Sequence, residues 1–360
     1  MITTPAITTP TLSADMMRRL PKAEVHVHLE GCFDIADLVQ SAHAVGADLP
    51  GPAATLFDTS THHVERDPDG AAVKGMGVGT FLQFLDWEGS LVRTHEHLVS
   101  TAYRACARES ASGVHYADII VNPTHWASWK GRLTDFTRAI AEGFDEAARD
   151  GLCEANLCVS LLRQQSGDSA LEVVREMIAA RVPRVVALSI DGDETHAGDT
   201  NAKFAPAFTL ARDAGFRRTV HTGESSGPES VWGAIDLLHA ERIDHGVRSI
   251  EDPRLVDVLA ERQIPLGMCP RSNVEGLKIY PSLDVHPIEP LRRAGVKVSI
   301  NTDDPAPMSV RIEDDYADCA RTFGWDLATV KTLAATSIHA SFASDEIKTR
   351  MLTDLHAFEG

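Results

Sequence analysis

The sequence predicts an α/β protein in which eight parallel strands and their connecting helices close into a (β/α)8 TIM barrel. Eight short, β-branched apolar runs recur along the chain, and most are continuously apolar, as strands buried on both faces are. After a long first gap they begin 22 to 40 residues apart, which fits a strand, a helix and two loops. The predicted strands are Ala23–Leu29, His115–Val121, Ala155–Leu162, Val185–Ile190, Arg218–His221, Arg242–Val247, Ile264–Cys269 and Val296–Asn301.

Signals for helix starts lie between the predicted strands. Asp252-Pro253 has the form of an N-cap followed by proline at the first helical position, and apolar residues then recur at helical spacing. Pro228-Glu229 opens a second segment of this kind. A doubly wound open sheet is the alternative arrangement. No glycine-rich phosphate loop follows any predicted strand, which counts against a nucleotide-cofactor version of that sheet.

The segment between the first and second strands, residues 30–113, is too long for an ordinary loop. Phe81, Phe84, Leu85 and Trp87 follow an amphipathic pattern within it. We predict inserted helices that cover the C-terminal mouth of the barrel as a lid, with Phe81 and Leu85 on the wall of an apolar pocket. Packing of these helices on one another is the alternative role for any single aromatic residue.

Composition bounds the class of protein. The net charge is −18 and no Lys/Arg cluster occurs, which disfavours a nucleic-acid partner. No apolar run approaches the roughly 20 residues of a membrane span, and the start of the chain lacks the features of a secretory signal. Six cysteines without a CxxC pair predict reduced core residues of a cytoplasmic protein. Residues 1–15 are predicted to be a flexible tail, and residues 16–360 a single domain.

Four predicted strand ends carry metal ligands or proton-transfer groups, and barrel enzymes place catalytic groups at such ends. The first strand contains His26 and His28, and residues two apart on a strand point the same way. We expect most other histidines, including His286, to be surface or core residues, because they lie in helices or return loops. The other three ends read His221-Thr222-Gly223-Glu224, Asp244-His245-Gly246 and Asn301-Thr302-Asp303-Asp304-Pro305.

Three imidazoles and one carboxylate suit Zn²⁺ and leave a position for water. The metal lowers the pKa of that water from 15.7 to about 7. A barrel hydrolase with two metals usually needs a further bridging ligand, often a modified lysine. The fourth strand region, 185–192, contains no lysine, so the pattern favours one metal per chain.

These motifs, in this order, resemble the adenosine deaminase family of metal-dependent amidohydrolases. Two further segments, 21–24 and 269–273, are also similar to that family, and the resemblance covers roughly residues 20 to 355. It implies zinc-dependent hydrolytic deamination of a small-molecule 6-aminopurine. The motifs are His26-Val-His28-Leu-Glu30-Gly, His221-Thr-Gly-Glu224, Asp244-His245-Gly246 and Ser299-Ile-Asn-Thr-Asp303-Asp304-Pro.

The resemblance implies a role for each site residue. Glu224 would be the acid that protonates the purine ring at N1 as hydroxide attacks C6, and His245 would orient the attacking water. Asp304 would hydrogen-bond N7, and Gly192 would bring its backbone N–H near N3, which a glycine allows. The resemblance implies four zinc ligands: His26, His28, His221 and Asp303.

Glu30 departs from the family pattern, because adenosine deaminases proper usually carry Asp there to bind the 5′-hydroxyl of the sugar. Glu is more like adenine deaminases, and an extra methylene in a pocket is worth about 1–3 kcal/mol of discrimination. Residues 242–248 also favour the adenine branch, whereas residues 192–194 favour the nucleoside branch. Residues 225–229 resemble deaminases of modified aminopurine nucleosides. We predict adenosine or a close nucleoside as the first substrate and free adenine, or an N6- or 5′-modified aminopurine, as the alternative.

A catalytically silent purine-binding barrel is the alternative from a different functional class. It would share the pocket without turnover, and the presence of every proposed ligand together with Glu224 argues against it. A metal-dependent hydrolase of a non-purine amide or phosphoester is a weaker alternative. Asp304 directly after Asp303, together with Gly192, favours the purine.

Overall fold

The structure, a computed structural model, describes residues 12–53, 78–194 and 200–360. Eight parallel strands form one continuous sheet in which each strand pairs with the next along the chain. This order confirms the predicted (β/α)8 barrel. Strands β1 to β8 are Lys22–His28, Val114–Val121, Glu154–Leu162, Val185–Asp191, Arg217–Thr222, Arg242–His245, Leu266–Met268 and Val298–Ile300.

Helices surround the barrel and follow each strand in turn. Several begin with the side-chain caps that the sequence indicates: Asp252 accepts a hydrogen bond from the N–H of Arg254, and Pro253 occupies the first helical position. Helices α1 to α13 of the described residues are Ala14–Arg19, Ile35–Val45, Val78–Leu91, His95–Ala111, Leu133–Arg149, Gly167–Ala180, Thr200–Asp213, Pro228–Asp236, Pro253–Arg262, Ile288–Arg293, Ile312–Phe323, Leu327–Ala340 and Asp345–Ala357.

The last three strands are shorter than the apolar runs that predict them. β6 ends at His245 instead of Val247, because His245 and Gly246 have φ values of 65° and 66° and extended backbone cannot continue through that region. β7 and β8 span three residues each. The apolar residues flanking these strands therefore pack in loops at the two ends of the barrel.

The barrel closes where β1 meets β8, at a junction that we call the seam, residues 24–28 and 301–303. Asp303 forms an isolated parallel bridge there with β1. The N–H of His28 donates to the carbonyl of Asp303 at 2.8 Å, and the N–H of Asp303 donates to the carbonyl of His26 at 3.1 Å. The backbone of the seam thus holds three predicted metal ligands side by side.

Side chains complete the seam where backbone pairing is missing. Glu24 Oε1 accepts from the N–H of Thr302 at 2.6 Å, and Asn301 Oδ1 accepts from the N–H of Val25 at 2.8 Å. All four residues are fully or almost fully buried, so water does not compete for these hydrogen bonds. Two polar side chains therefore replace part of the backbone ladder at this closure.

The predicted insertion contains α2, α3 and α4. α4 packs along α5 on the outside of the barrel, and Gly143 allows this close approach because a Cβ there would lie 2.3 Å from the carbonyl oxygen of Val99. Of the described helices in this insertion, α3 is the one that reaches the mouth, with Phe81 and Leu85. The predicted lid also includes residues 54–77, which lie outside the described residues.

Three further predictions concern the chain away from the mouth. All six cysteines are buried and unpaired, as expected of reduced core residues. The predicted tail lies mostly outside the described residues, and α1 already includes Ala14 and Asp15. Among the described helices, none combines the length and the apolar character that crossing a bilayer requires.

Candidate active site

A cavity opens where the C-terminal ends of the strands meet α3. One wall is polar and is built by residues that follow β1, β4, β5, β6 and β8. The opposite wall is apolar and comes from α3. Nine of the predicted site residues line this cavity: His28, Phe81, Leu85, Gly192, His221, Glu224, His245, Asp303 and Asp304.

Four of the predicted residues bring their ligand atoms to one point at the bottom of the cavity. These atoms all lie within 4.8 Å of one another. His28 Nε2 is 3.0 Å from His221 Nε2, and His26 Nε2 is 3.1 Å from Asp303 Oδ1. The alternation of β1 turns both of its histidines inward, and β5 and the seam supply the other two residues.

The orientation of His26 indicates that this cluster holds positive charge. His26 Nδ1 lies 3.1 Å from the carbonyl oxygen of Gly267, which can only accept, so Nδ1 carries a ring hydrogen. Nε2 then faces Asp303 Oδ1 at 3.1 Å, so a second proton on the ring or a cation between the two atoms offsets the charge of the carboxylate. Burial lowers the pKa of His26, but Asp303 and Asp244 outweigh it and raise the pKa. Three imidazoles and a carboxylate fit a divalent metal ion.

Outer partners hold the ligands in place. Ser272 Oγ donates to Asp303 Oδ2 at 2.7 Å, and Asp244 Oδ2 lies 3.6 Å from His221 Nδ1. Such partners orient metal ligands and tune their basicity. Ser272 was not among the predicted site residues, although the segment 269–273 belongs to the motifs that carry the resemblance.

Glu224 lies at the end of β5 with its side chain 12% exposed. Burial, reinforced by the carboxylates of Asp303, Glu194 and Asp304, raises the pKa of Glu224 well above its usual range. His245 Nδ1 lies 3.3 Å from Glu224 Oε1, and burial next to His26 lowers the pKa of His245 to about 3. The site therefore pairs a carboxyl whose pKa is raised with an imidazole whose pKa is lowered, an arrangement suited to general acid catalysis.

Glu194 holds the loop that carries Glu224. Its Oε2 accepts hydrogen bonds from three successive backbone N–H groups, those of Glu224, Ser225 and Ser226, at 3.2, 2.9 and 2.6 Å. Hydrogen bonds to a charged acceptor contribute about 1.5–3 kcal/mol each. The loop conformation therefore depends on a side chain that lies thirty residues earlier in the sequence.

Arg163, at the end of β3, connects this loop to the metal cluster. Its side chain is almost completely buried, lies 3.6 Å from Glu194 Oε1, and donates to the carbonyl of His221. Sequence reasoning missed both Arg163 and Glu194 as site residues. The available signal was a charged residue within three positions of the end of each of two apolar strands, which is costly to bury unless it is paired.

Glu30, predicted to contact the substrate, uses one carboxyl oxygen to bind the segment that follows β2. Its Oε1 accepts from the N–H of Asn122 at 3.0 Å and from the indole N–H of Trp126 at 2.7 Å. Burial raises the pKa of Glu30, although His125 and His28 oppose the shift. The side chain is not among the described residues that line the cavity, but Oε2 is buried without a hydrogen bond.

Glu88 on α3 is a further buried acid that the sequence did not single out. Neither carboxyl oxygen has a hydrogen-bond partner among the described residues. Burial, with Asp304 and Glu30 nearby, raises the pKa of Glu88 well above its usual value. Burial and the carboxylates of Asp303 and Glu30 do the same to the pKa of Asp304. This side of the site therefore carries an excess of carboxyl groups.

Gly192 follows β4 with φ of 95°, a conformation that L side chains rarely adopt. A Cβ there would also lie 2.9 Å from Leu162 Cδ1. The backbone consequently forms the cavity wall at this point.

Arg242 lies at the other end of the barrel interior and donates to Asp118 Oδ2 at 2.7 Å. It stabilises the interior and does not distinguish substrates by contact.

Comparison with known proteins gives consistent matches along the chain. The family model described as adenosine deaminase matches residues 21–358. The adenosine deaminase of Serratia proteamaculans is 32% identical over 332 residues, which are 92% of this chain and 96% of the relative. The crystal structure of an adenine deaminase from Arthrobacter aurescens superposes with a TM-score of 0.84 at 29% identity and covers 94% of this chain and 98% of its own. A zinc-bound amidohydrolase from Burkholderia ambifaria has a TM-score of 0.81 at 27% identity. The match covers 98% of this chain and 97% of the amidohydrolase.

Proposed function

Because the chain belongs to the adenosine deaminase family, we propose that it deaminates adenosine or a close aminopurine nucleoside at a single zinc ion. Free adenine is the alternative substrate. The reaction class follows from the family: the protein is a hydrolase of C–N bonds in cyclic amidines, and it acts on a small-molecule aminopurine. The proposal adds the preferred substrate, the identity of the metal and the role of each residue.

One observation carries the residue roles. A cluster of ligand atoms, the Glu224 carboxyl with its raised pKa and the backbone of Gly192 surround one cavity that has an apolar wall. A purine ring needs these three partners on different edges, with its faces against apolar side chains. A silent purine-binding barrel would have no use for a carboxyl of raised pKa beside the metal cluster.

The geometry of the cluster supports four proposed zinc ligands. A bound zinc ion would lower the pKa of a water molecule to about 7 and so supply hydroxide near neutral pH. Zinc suits this site because three nitrogens and one oxygen match its preferred ligands and leave a further position open. The four residues that would hold it are His26, His28, His221 and Asp303.

The remaining residues would bind the purine and move protons. Glu224 would donate its proton to N1 of the ring, which activates C6 towards water. His245 would hydrogen-bond the attacking water and keep it in line with C6. Asp304 would hydrogen-bond N7, and the N–H of Gly192 would lie near N3. Phe81 on α3 would pack against the ring and exclude solvent.

The charge of the cavity favours an uncharged substrate. No lysine or arginine occurs among the described residues that line it. A phosphate group would find no cationic side chain in this lining to pair with, and an unpaired charge in a site of low polarity is strongly disfavoured. Six acidic residues line the cavity: Asp191, Asp193, Glu194, Glu224, Asp303 and Asp304.

The substrate class can be tested with a panel of adenine, adenosine, deoxyadenosine, N6-methyladenosine and AMP. We expect ammonia release from adenosine, and a kcat/KM for AMP lower by about 100-fold or more, because charge mismatches cost several kcal/mol. Loss of aminopurine absorbance gives the rates. Binding without ammonia release would contradict the proposed function, and efficient turnover of AMP would contradict the argument from charge.

Glu30→Asp is expected to raise kcat/KM for adenosine relative to adenine by about tenfold or more. Shortening the side chain by one methylene, about 1.5 Å, withdraws the carboxyl towards its own backbone, which weakens its hydrogen bonds with Asn122 and Trp126 and leaves room for a ribose. The ratio of the two kcat/KM values is the measurement. Glu96→Asp, an exposed position on α4, is the matched control and should leave the ratio unchanged. An unchanged ratio in Glu30→Asp as well would assign specificity to the lid helices.

A further inference from the structure

A series of hydrogen bonds leads from the backbone of α10 to the side chains of Glu224 and His245. The N–H of Ile288 donates to His286 Nδ1 at 3.3 Å, and His286 Nε2 lies 3.2 Å from Asn273 Oδ1. Asn273 Nδ2 lies 2.9 Å from Glu224 Oε1 and 3.4 Å from His245 Nδ1. His286 and Asn273 are 1% and 0% exposed, so water does not compete. We call Ile288, His286 and Asn273 the orienting chain.

The direction of the first hydrogen bonds in the orienting chain is determined. A backbone N–H can only donate, so His286 Nδ1 accepts and carries no hydrogen. Burial lowers the pKa of His286 to about 3, so the ring is neutral and its hydrogen is on Nε2. His286 therefore donates to Asn273, and the atom that it meets must be the carbonyl oxygen.

This orientation turns the amide nitrogen of Asn273, with its two hydrogens, towards Glu224 and His245. Glu224 Oε1 accepts one of them, which directs a proton on this carboxyl to Oε2. His245 Nδ1 accepts the other, so the ring hydrogen of His245 is on Nε2, which lies 3.9 Å from Asp303 Oδ2. A flipped amide would oppose two donors, its own NH2 group and the N–H at His286 Nε2, at the 3.2 Å contact.

We propose that His286 and Asn273 are positioning residues of the deaminase, because together they fix which atoms of Glu224 and His245 carry hydrogen. The inference rests on the function proposed above. Glu224 Oε2 would then be the atom that gives its proton to N1. The N–H at His245 Nε2 would be the group that faces the attacking water. Neither positioning residue touches the substrate.

The segment around Asn273 has a second connection to the site. The adjacent Ser272 donates to Asp303 Oδ2 at 2.7 Å, and both residues lie in a π-helical turn, Ser272–Gly276. Such turns are rare and often occur at functional sites. The ring of Tyr280 packs edge-on against His286 with centroids 5.3 Å apart, which limits movement of the imidazole.

The proposal makes a direct prediction for the unmodified protein. In the zinc-loaded full-length chain labelled with ¹⁵N-histidine, His245 should show an unprotonated Nδ1 and a protonated Nε2 near neutral pH. His245→Asn identifies its signals. A hydrogen on Nδ1 of His245 would overturn the proposal. This measurement needs no substrate, so it decides the inference even if the substrate panel contradicts the deaminase function.

Variants of His286 test its role at a distance. His286→Leu removes the donor to Asn273 and should lower kcat about 10- to 100-fold, while KM changes less than about threefold and zinc content stays near one per chain. His245 should then show a mixture of both tautomers. His286→Gln keeps a donor near Nε2 and should recover most of kcat. His339→Leu, at an exposed position on α12, is the matched control and should change neither kcat nor the tautomer.

Asn273→Asp provides a second test with almost no change in volume. It removes both amide hydrogens, so His245 should lose its uniform Nε2–H tautomer and kcat should fall at least as far as in His286→Leu. Retention of the wild-type tautomer and of kcat in either folded variant would refute the proposal. If His286→Leu does not fold, the wild-type spectrum and the Asn273→Asp variant still show whether the orienting chain fixes the tautomer of His245.

Discussion

Glu224→Gln should lower kcat by about 10²–10⁴-fold, the usual contribution of a general acid. Glutamine keeps the shape of the side chain and an oxygen that can accept the hydrogen bond from Asn273, but it cannot donate a proton to the purine ring. Zinc content should stay near one per chain, because Glu224 is not one of the four proposed ligands. Steady-state rates with adenosine and metal analysis of the same samples give both results.

The dependence on pH follows from the raised pKa of Glu224. The wild type should be active while this carboxyl is protonated and should lose activity as the pH rises through its folded-state pKa. The same proton makes folding less favourable at high pH, because the unfolded chain releases it more readily. Glu224→Gln should therefore be relatively more stable than the wild type in alkaline buffer. Near-normal turnover in this variant would show that the acid is misassigned.

His28→Ala should abolish measurable turnover and reduce bound zinc to a small fraction of one ion per chain. The change removes one of four ligand atoms, and it leaves His221 Nε2 without its neighbour at 3.0 Å. Activation of water by the metal lowers the pKa of water from 15.7 to about 7, which corresponds to about 12 kcal/mol. Loss of the metal thus has a larger effect than loss of any single proton donor.

Metal analysis after dialysis and circular dichroism separate loss of the ion from loss of the fold. His95→Ala is the matched control, because His95 and His97 form the other pair of histidines two residues apart. They lie on α4, where such residues do not share a face, and His95 is exposed. The control should keep its zinc and its activity. Unchanged zinc in His28→Ala would remove His28 from the ligand set.

The barrel could be predicted from the sequence because its strands are buried on both faces. Such strands appear as unbroken apolar runs, and the spacing of the runs reveals the intervening helices. The four residues of the candidate metal cluster could be predicted because each lies at or near a strand end. The exact ends of β6 to β8 could not be predicted, because positive φ at His245 and Asp303 depends on contacts across the barrel mouth.

Two of the residues that sequence reasoning missed act through partners that are distant in the chain. Glu194 binds backbone thirty residues away, and Asn273 meets Glu224 49 residues away. His286 was expected to be a surface or core histidine, and only its contacts distinguish it from one. Glu88 lies on an amphipathic helix, where a carboxyl normally marks the solvent side.

The seam between β1 and β8 also affects how the chain is made. Three of the proposed ligands meet there, two from β1 and one, Asp303, from just after β8. The barrel cannot close, and the metal site cannot form, until translation has passed residue 303. Until then β1 presents an unpaired edge of the kind that recruits other chains. We expect ribosome-bound or truncated chains that lack β8 to aggregate and to bind no zinc, while release of the complete chain allows closure and metal uptake as one late event.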